Sequence, residues 1–274
     1  MDAARHLTDD EGNPVRLASA VRRVVSLVPS LTEAVATTAP GLLVGATDWC
    51  THPAGLDAAR IGGTKNPALQ AICALRPDLV VTNEEENRAP DLAALRAAGL
   101  PVWTTRIRDL DQALDSLRRL LVDALRLPCP DWLVTARQAW DFPPPPRPLR
   151  AVAPIWRRPW MVLGRDTFAA DLLRRLGVDL LPATHPDRYP RLTLPELHAL
   201  GAELVLLPDE PYRFTATDGP EAFPALPYAL LPGRHLTWYG PSLAEAPTVL
   251  GVRLAGHRRE GPGLSEAAPP PGVE

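Results

Sequence analysis

Apolar and polar positions along this chain fall into alternating short and longer blocks. RRVVSLV (22–28) is a β-branched apolar run with the length of a buried strand. Pro29 ends it. Ser30 and Glu33 then stand at capping-box spacing, so PSLTEAVATTA predicts a helix. LLVGATD, DLVVTN and PVWTT predict further strands, and NPALQAICAL and APDLAALRAAG predict the helices between them, the second stopped by Gly99. Ahead of these, HLTDDEGNPVRL predicts two short strands about a turn. Strand–helix alternation of this kind marks a largely parallel sheet covered by helices.

From Asp109 the period changes. Leu110, Leu114, Leu117, Leu121 and Leu125 follow helical spacing, PCP interrupts, DWLVTARQAW resumes a helix, and the prolines of DFPPPPRP end it in an extended strut. Alternation then restarts. LRAVAPIW, PWMVLG, VDLL, AELVLLP and HLTWYG predict strands. RDTFAADLLRRLG predicts a helix starting near Asp166 or Thr167, TLPELHAL a short one, and SLAEAPTVLGVRL one that Pro247 disturbs. The expected division is an N-terminal α/β lobe (1–108), a helical connector with its strut (109–148), a C-terminal α/β lobe (149–254) and a disordered tail (255–274).

One phrase is written twice. ALRPDLVVTNEEENR (74–88) and ALGAELVLLPDEPYR (199–213) share six of fifteen positions, among them Glu85/Glu210 and Arg88/Arg213, and Asp78/Glu203 are both acidic. Each is a short helix, a turn, a buried strand and a charged loop at the strand's carboxyl end. Ligands of open α/β sheets bind beyond such ends. Two lobes so built present their loops as facing lips of one cleft, although any two α/β units share some likeness.

Composition narrows the classes. The net charge of −3 offers no field for nucleic acid. Lys65 is the only lysine. Cys50, Cys73 and Cys129 form no CxxC pair, so neither a disulfide framework nor a zinc knuckle is indicated. No apolar run has the length of a membrane span. The first residues lack the apolar stretch of an export signal, which leads to the expectation of a cytoplasmic protein. GxSxG, GxGxxG, Walker and HExxH patterns are missing, so the expectation is a binder and not an enzyme. Carboxylates of the EEE and PDEP loops acting as acid and base would be the hydrolase alternative.

The successive blocks RRVVSLVPSLTEAV, VGATDWCTHP, RIGGTKNPALQAICALRPDLVVTN, AAGLPVW, WMVLGRDTFAADLLRRLG, RYPRLTLPELHALGAELVLLPDEPYRF and LTWYGP resemble, in order, the Fe/B12 periplasmic-binding family of class III solute-binding proteins, nearest its vitamin B12-binding branch. The resemblance spans about residues 6 to 250. It implies two Rossmann-like α/β lobes with mostly parallel central sheets, joined by a bridging helix, with the ligand held between lobes that move modestly. A bridge of residues 131–142 would span only about 18 Å, short for the family. Family members that feed an ABC permease carry a docking glutamate on each lobe. Gln70 and Pro195 stand there instead, with Glu196 adjacent, which favours a stand-alone, cytoplasmic monomeric binder over a transporter's receptor.

The expected ligand is a corrinoid such as cobalamin; an iron siderophore or haem is the alternative. A corrinoid needs aromatic platforms and amide or hydroxyl partners, with no cofactor or metal of the protein's own. Trp49 matches an aromatic pocket position of the B12 binders, or else seals the core. Thr64 and Asn83 stand where those binders place tryptophans. Tyr212, Phe214, Trp238 and Tyr239 offer aromatic area from the second lobe; on a strand, only one of Trp238 and Tyr239 would face the cleft. Ser30 and Asp166 open helices that would favour an anion, or simply cap them. Arg165 and Arg213 are the cationic candidates. Glu84, Glu85, Glu86 and Arg88 are ligand contacts or a solvated rim. Cys50 and His52 would share one face of a strand, and His52, His185 and His235 are candidate axial ligands to cobalt or ordinary surface histidines.

Overall fold

The computed structural model describes residues 4–257. Beyond residue 257 the expected tail lies outside them. Strands β1 (Arg5–Thr8) and β2 (Pro14–Leu17) pair antiparallel, and the Asp9 carboxylate closes their turn by accepting the amides of Glu11 and Asn13. The first lobe then runs β3 (Val24–Ser26), α1 (Pro29–Thr38), β4 (Leu43–Ala46), β5 (Ala59–Arg60), α2 (Leu69–Ala74), β6 (Leu79–Asn83), α3 (Ala89–Ala97) and β7 (Val102–Thr105). Its sheet has the order β5-β4-β3-β6-β7, every pair parallel. From β3 the chain crosses to one side, and from β6 to the other. The carboxyl ends of β3 and β6 therefore flank a topological switch point.

The connector holds α4 (Leu110–Arg118), a π-helical turn at Arg119–Ala124, and α5 (Asp131–Ala139). Asp109 caps α4 by accepting the Gln112 amide at 2.7 Å. The strut follows α5. The second lobe comprises β8 (Leu149–Val152), β9 (Pro154–Arg157), β10 (Trp160–Val162), α6 (Phe168–Arg175), β11 (Val178–Leu180), α7 (Leu194–Ala199), β12 (Leu204–Pro208), β13 (Tyr228–Leu231), α8 (Gly233–Thr237) and α9 (Ala246–Ala255). Its main sheet, β11-β8-β12-β13, is again all parallel, with its switch between β8 and β12, while β9 and β10 form a separate hairpin.

The doubled phrase folds twice the same way. It gives α2, β6 and the 84–88 loop in one lobe, and α7, β12 and the 209–213 loop in the other. Both strands are buried along their whole length, as central parallel strands must be. The bonds that seat them repeat too. The Asp78 amide donates to Arg23 O, and the Glu203 amide to Arg150 O. The Asp78 carboxylate accepts the amides of Arg22 and Arg23, and that of Glu203 accepts the Arg150 amide. The guanidinium of Arg23 donates to Leu75 O and that of Arg150 to Leu200 O, and Leu75 and Leu200 are themselves an aligned pair.

Several expectations need correction. Ser30 does not cap α1: with Pro29 in the first turn, the helix starts two residues earlier, at an N-cap of Val28, and no side chain caps it. At α6 the cap is Thr167, whose hydroxyl accepts the Ala170 amide, and not Asp166, which sits at φ 58° just outside. HLTWYG is not a strand. Residues 233–237 form the single turn α8, and the fourth strand is the preceding Tyr228–Leu231. Pro247 does not disturb α9, because it falls in the first turn, where its missing N–H costs nothing. α5 stops at Ala139, short of the expected 142.

The two lobes share an interior. One buried cluster includes Leu31 and Val35 of α1, Leu114 and Leu117 of α4, Leu172 and Leu173 of α6, and Leu250 of α9. Polar ties run beside it. Leu110 N–H donates to Asp171 of α6, Arg119 and Ser116 bond Asp10 beside the first hairpin, Trp132 donates to Thr38 of α1, and Trp140 donates to Leu243 O. Leu117→Ala is expected to cost about 2–5 kcal/mol through the cavity it leaves in the connector. In urea, both lobes of this variant should still unfold in one transition, followed by circular dichroism and tryptophan fluorescence together.

Candidate functional site

The carboxyl ends of both sheets meet across a cleft, and the two copies of the doubled phrase are its lips. After β6 the chain turns on Asn83, which is 2% exposed. Its side-chain oxygen accepts the amides of Glu85 and Glu86, and its amide nitrogen donates to Thr105 O and Oγ1. Asn87 continues the bracing by donating to Leu27 O and Thr64 O. The result is a rigid loop that aims Glu84, Glu85 and Glu86 outward from the sheet edge. Glu84 pairs with Arg108 at 2.6 Å. Lys65 caps the loop through Glu85 O.

The other two carboxylates reach the opposite lobe. Glu85 accepts from Tyr189 OH at 2.9 Å and pairs with Arg188. Glu86 accepts from Tyr239 OH at 3.0 Å. Deeper in, Glu33 of α1 pairs with Arg234 of α8, with Arg234 Nε at 3.2 Å from Oε2. On the second lip, Glu210 accepts from Trp238 Nε1 at 2.8 Å, and the Trp238 ring stands edge-on to His52 of the first lobe with centroids 5.4 Å apart. A Cβ at Gly240 would lie 3.1 Å from Ser30 O, so the bare glycine lets the lobes approach there. The cleft is thus shut by four bonded contacts and one ring contact.

These contacts set the acidities. Burial pushes the Glu86 carboxyl up to about 7, and the charge of Glu210 adds to the rise against the Tyr239 bond and Lys65. Burial likewise raises Glu210, despite its Trp238 bond. Tyr239 is held well above the usual phenol range by burial and by Glu86, so it remains a donor at any ordinary pH.

The residues singled out in the sequence divide into groups. Trp238 and Tyr239 both reach the first lobe, at His52 and Glu86 respectively, since neither lies on a strand that would turn them to opposite faces, and Ser30 lies against Gly240 next to them. Trp49 is 67% exposed on the loop after β4 and does not seal the core. Thr64 lies on the neighbouring loop, half-buried, with its carbonyl tied to Asn87. Asn83 spends its hydrogen bonds inside its own lobe. Tyr212 joins a C-lobe aromatic group, edge-on to Trp156, tilted against Phe214, its hydroxyl donating to Asp218 at 2.7 Å. Arg213 is exposed. Arg165 stands beside Asp166, whose carbonyl accepts from Arg188, and lines a cavity of about 640 Å³ with Arg108 and Arg174.

Cys50 and His52 do not share a strand face, since both lie on a loop. The Cys50 thiol is buried against Thr32 and Thr47 and raised by that burial, while His52 turns to Trp238. Among the described residues, no group of three His, Cys, Asp or Glu is placed to hold a metal ion, and no helix is long and apolar enough to cross a membrane. Glu33, Arg188, Tyr189 and Arg234 are cleft residues that the sequence did not single out. Their partners lie 100 or more residues away, beyond any local spacing rule.

No family model matches the chain. Over 100 residues it is 28% identical to the Vitamin B12-binding protein of Vibrio cholerae serotype O1, a match covering 36% of this chain and 36% of that protein's length. The structure of the periplasmic vitamin B12 binding protein BtuF of Vibrio cholerae superposes with a TM-score of 0.70 at 18% identity, covering 88% of this chain and 99% of that one. The periplasmic heme-binding protein RhuT from Roseiflexus sp. RS-1 superposes with a TM-score of 0.72 at 21% identity, covering 86% and 99%. These likenesses establish the two-lobed class III fold and bear out the resemblance to the Fe/B12 periplasmic-binding family. They overturn the cytoplasmic expectation: both solved relatives are periplasmic proteins, and the first residues of the sequence do not decide the compartment.

Asn83→Ala removes the brace under Glu85 and Glu86. It is expected to lower stability by about 1–3 kcal/mol, the cost of stranding buried polar groups. Hydrogen exchange should speed up at the Glu85 and Glu86 amides in particular.

Proposed function

We propose that the chain is a solute-binding protein that holds a corrinoid between its lobes and releases it chemically unchanged. Its fold and its partial match to a vitamin B12-binding protein support this reading. The observation that carries it is the character of the lips, which are rich in carboxylates and aromatic rings and whose cations reaching between the lobes are engaged, with Arg213 exposed on the second loop. Arg188, Arg234 and Lys65 are already engaged by Glu85, Glu33 and Glu85 O. A ligand whose rim carries carboxylates or catecholates would meet Glu85, Glu86 and Glu210 with like charge. The neutral amides that fringe a corrinoid would instead donate to those carboxylates, and Trp49 offers a solvent-facing ring for the macrocycle's apolar face.

Haem or an iron siderophore is the second reading, favoured by the haem-binding relative and by Tyr189 and Tyr239, whose phenol oxygens stand in the cleft. The acid–base alternative has less support: Glu85 is committed to Arg188 and Tyr189, and Glu210 to Trp238. Delivery to an ABC permease belongs to the same proposal. Gln70 and Pro195 lie exposed in the first turns of α2 and α7, and Glu196 is held in a capping box by Thr193. Docking at these positions would therefore not use a free glutamate.

The test is a titration with aquocobalamin at micromolar concentration, read by the corrin absorption bands and by co-elution on gel filtration, with haemin in parallel. A shifted corrin band with co-elution is expected, and a haemin Soret shift alone would favour the second reading. Trp49→Ala should weaken corrinoid binding by about tenfold, or about 1.4 kcal/mol, without lowering the melting temperature.

A further inference from the structure

We propose that the cleft carries a proton-linked latch: Glu86 of the first lobe bound to Tyr239 of the second, with Glu210 facing Glu86 across the gap, holds the lobes together in acid and lets them part as the pH rises. As regulation of ligand exchange, the latch rests on reading the cleft as the ligand's seat. As a property of the two lobes, it does not.

The geometry makes the latch. Tyr239 belongs to the second lobe and Glu86 to the first, so their 3.0 Å bond exists only while the cleft is shut. Glu210 and Glu86 stand on the two copies of one loop. Closure therefore brings two carboxylates toward each other from opposite sides, each of them partly withdrawn from water. Nearby charges do not cancel this. Lys65 is the cation acting on Glu86, but its ammonium is taken by Glu85 O, and Arg188 is taken by Glu85 itself. Tyr189, on the remaining side, is a neutral phenol whose own acidity is weakened by burial. Glu210 has His52 and Arg234 nearby, and Arg234 already pairs with Glu33.

Two ionised carboxylates would repel across the closed gap, whereas a protonated Glu86 can still accept from Tyr239 through its carbonyl oxygen. The pH window follows. The Glu86 carboxyl stands at about 7 in the closed structure, against 4.5 for a glutamate in water, toward which it would return on opening, so closure takes up a proton. The closed state is favoured most below 4.5, loses ground through the interval up to about 7, and is weakest above it. Within that interval, one linked proton changes the ratio of closed to open molecules by at most about tenfold per pH unit.

The test measures the gap directly in the ligand-free full chain. Spin labels on Ala54→Cys and Ala216→Cys, exposed positions on the two lobes, report the inter-lobe distance by pulsed electron resonance, with Cys73→Ser and Cys129→Ser removing competing thiols. A single short distance is expected at about pH 5, with a growing longer population by about pH 8.5 and a midpoint near neutrality. Glu86→Gln, fixed in the neutral form, should stay short throughout. Tyr239→Phe keeps the ring but loses the donor, and should show the longer distance already in acid. An unchanged distance across the pH range, a Glu86→Gln variant that opens like the parent, or a Tyr239→Phe variant that stays shut in acid would each overturn the latch. None of these readouts involves ligand, so failure to bind aquocobalamin ends the corrinoid reading and leaves the latch to its own result.

Discussion

The rest of the site depends on how each central strand is seated. In a parallel sheet, the place where a strand's last residue emerges follows from where its first residue is fixed. Here both central strands start under the same clamp. A carboxylate, Asp78 or Glu203, takes a backbone amide of the neighbouring strand's start, and an arginine beside it, Arg23 or Arg150, takes the carbonyl of the preceding helix end. Both strands then run five residues before the chain leaves the sheet. Equal starts and equal lengths bring the two acidic loops out at equivalent places, each beside its sheet's switch point. The facing of Glu86 and Glu210 is therefore a product of register and not of local loop design.

Much of the framework was legible because it is governed by short-range rules. Val24, Val25, Leu79, Val80 and Val81 can hardly be other than buried strand, and Gly99 stops α3 where a left-handed residue is needed, at φ 81°. The misreadings are equally physical. HLTWYG is aromatic and β-branched enough to pass for a strand, yet it follows Pro232 and makes only one helical turn, too short for any period to show. The true strand, YALL, is four residues long and hemmed by prolines. Ser30 satisfied the capping spacing, but Pro29 had already opened the helix.

The site was legible as two lips and not as a closed surface. The doubled phrase pointed to Glu85 and Glu210, the family resemblance to Trp49, and aromatic area in the second lobe to Trp238 and Tyr239. What closes the cleft is a set of pairs between lobes, Glu33 with Arg234, Glu85 with Tyr189 and Glu86 with Tyr239, and no spacing rule connects residues 201, 104 and 153 positions apart. Asn83 shows the converse limit. A polar residue at a strand end reads as available to a ligand, whereas its bonds are consumed in holding the loop that carries its neighbours.

The unbroken apolar cluster running from α1 through α4 and α6 to α9 bears on how this architecture can be divided. Neither half owns a complete interior: cutting the chain at the tetraproline strut would leave leucines of α1 and α4 on one fragment and those of α6 and α9 on the other, all facing water. Each piece would keep a smaller apolar cluster of its own, around Leu27 and Val80 or around Val152 and Val205, while the cluster they share came apart. The molecule has two similar faces, yet behind them the halves are joined through one interior.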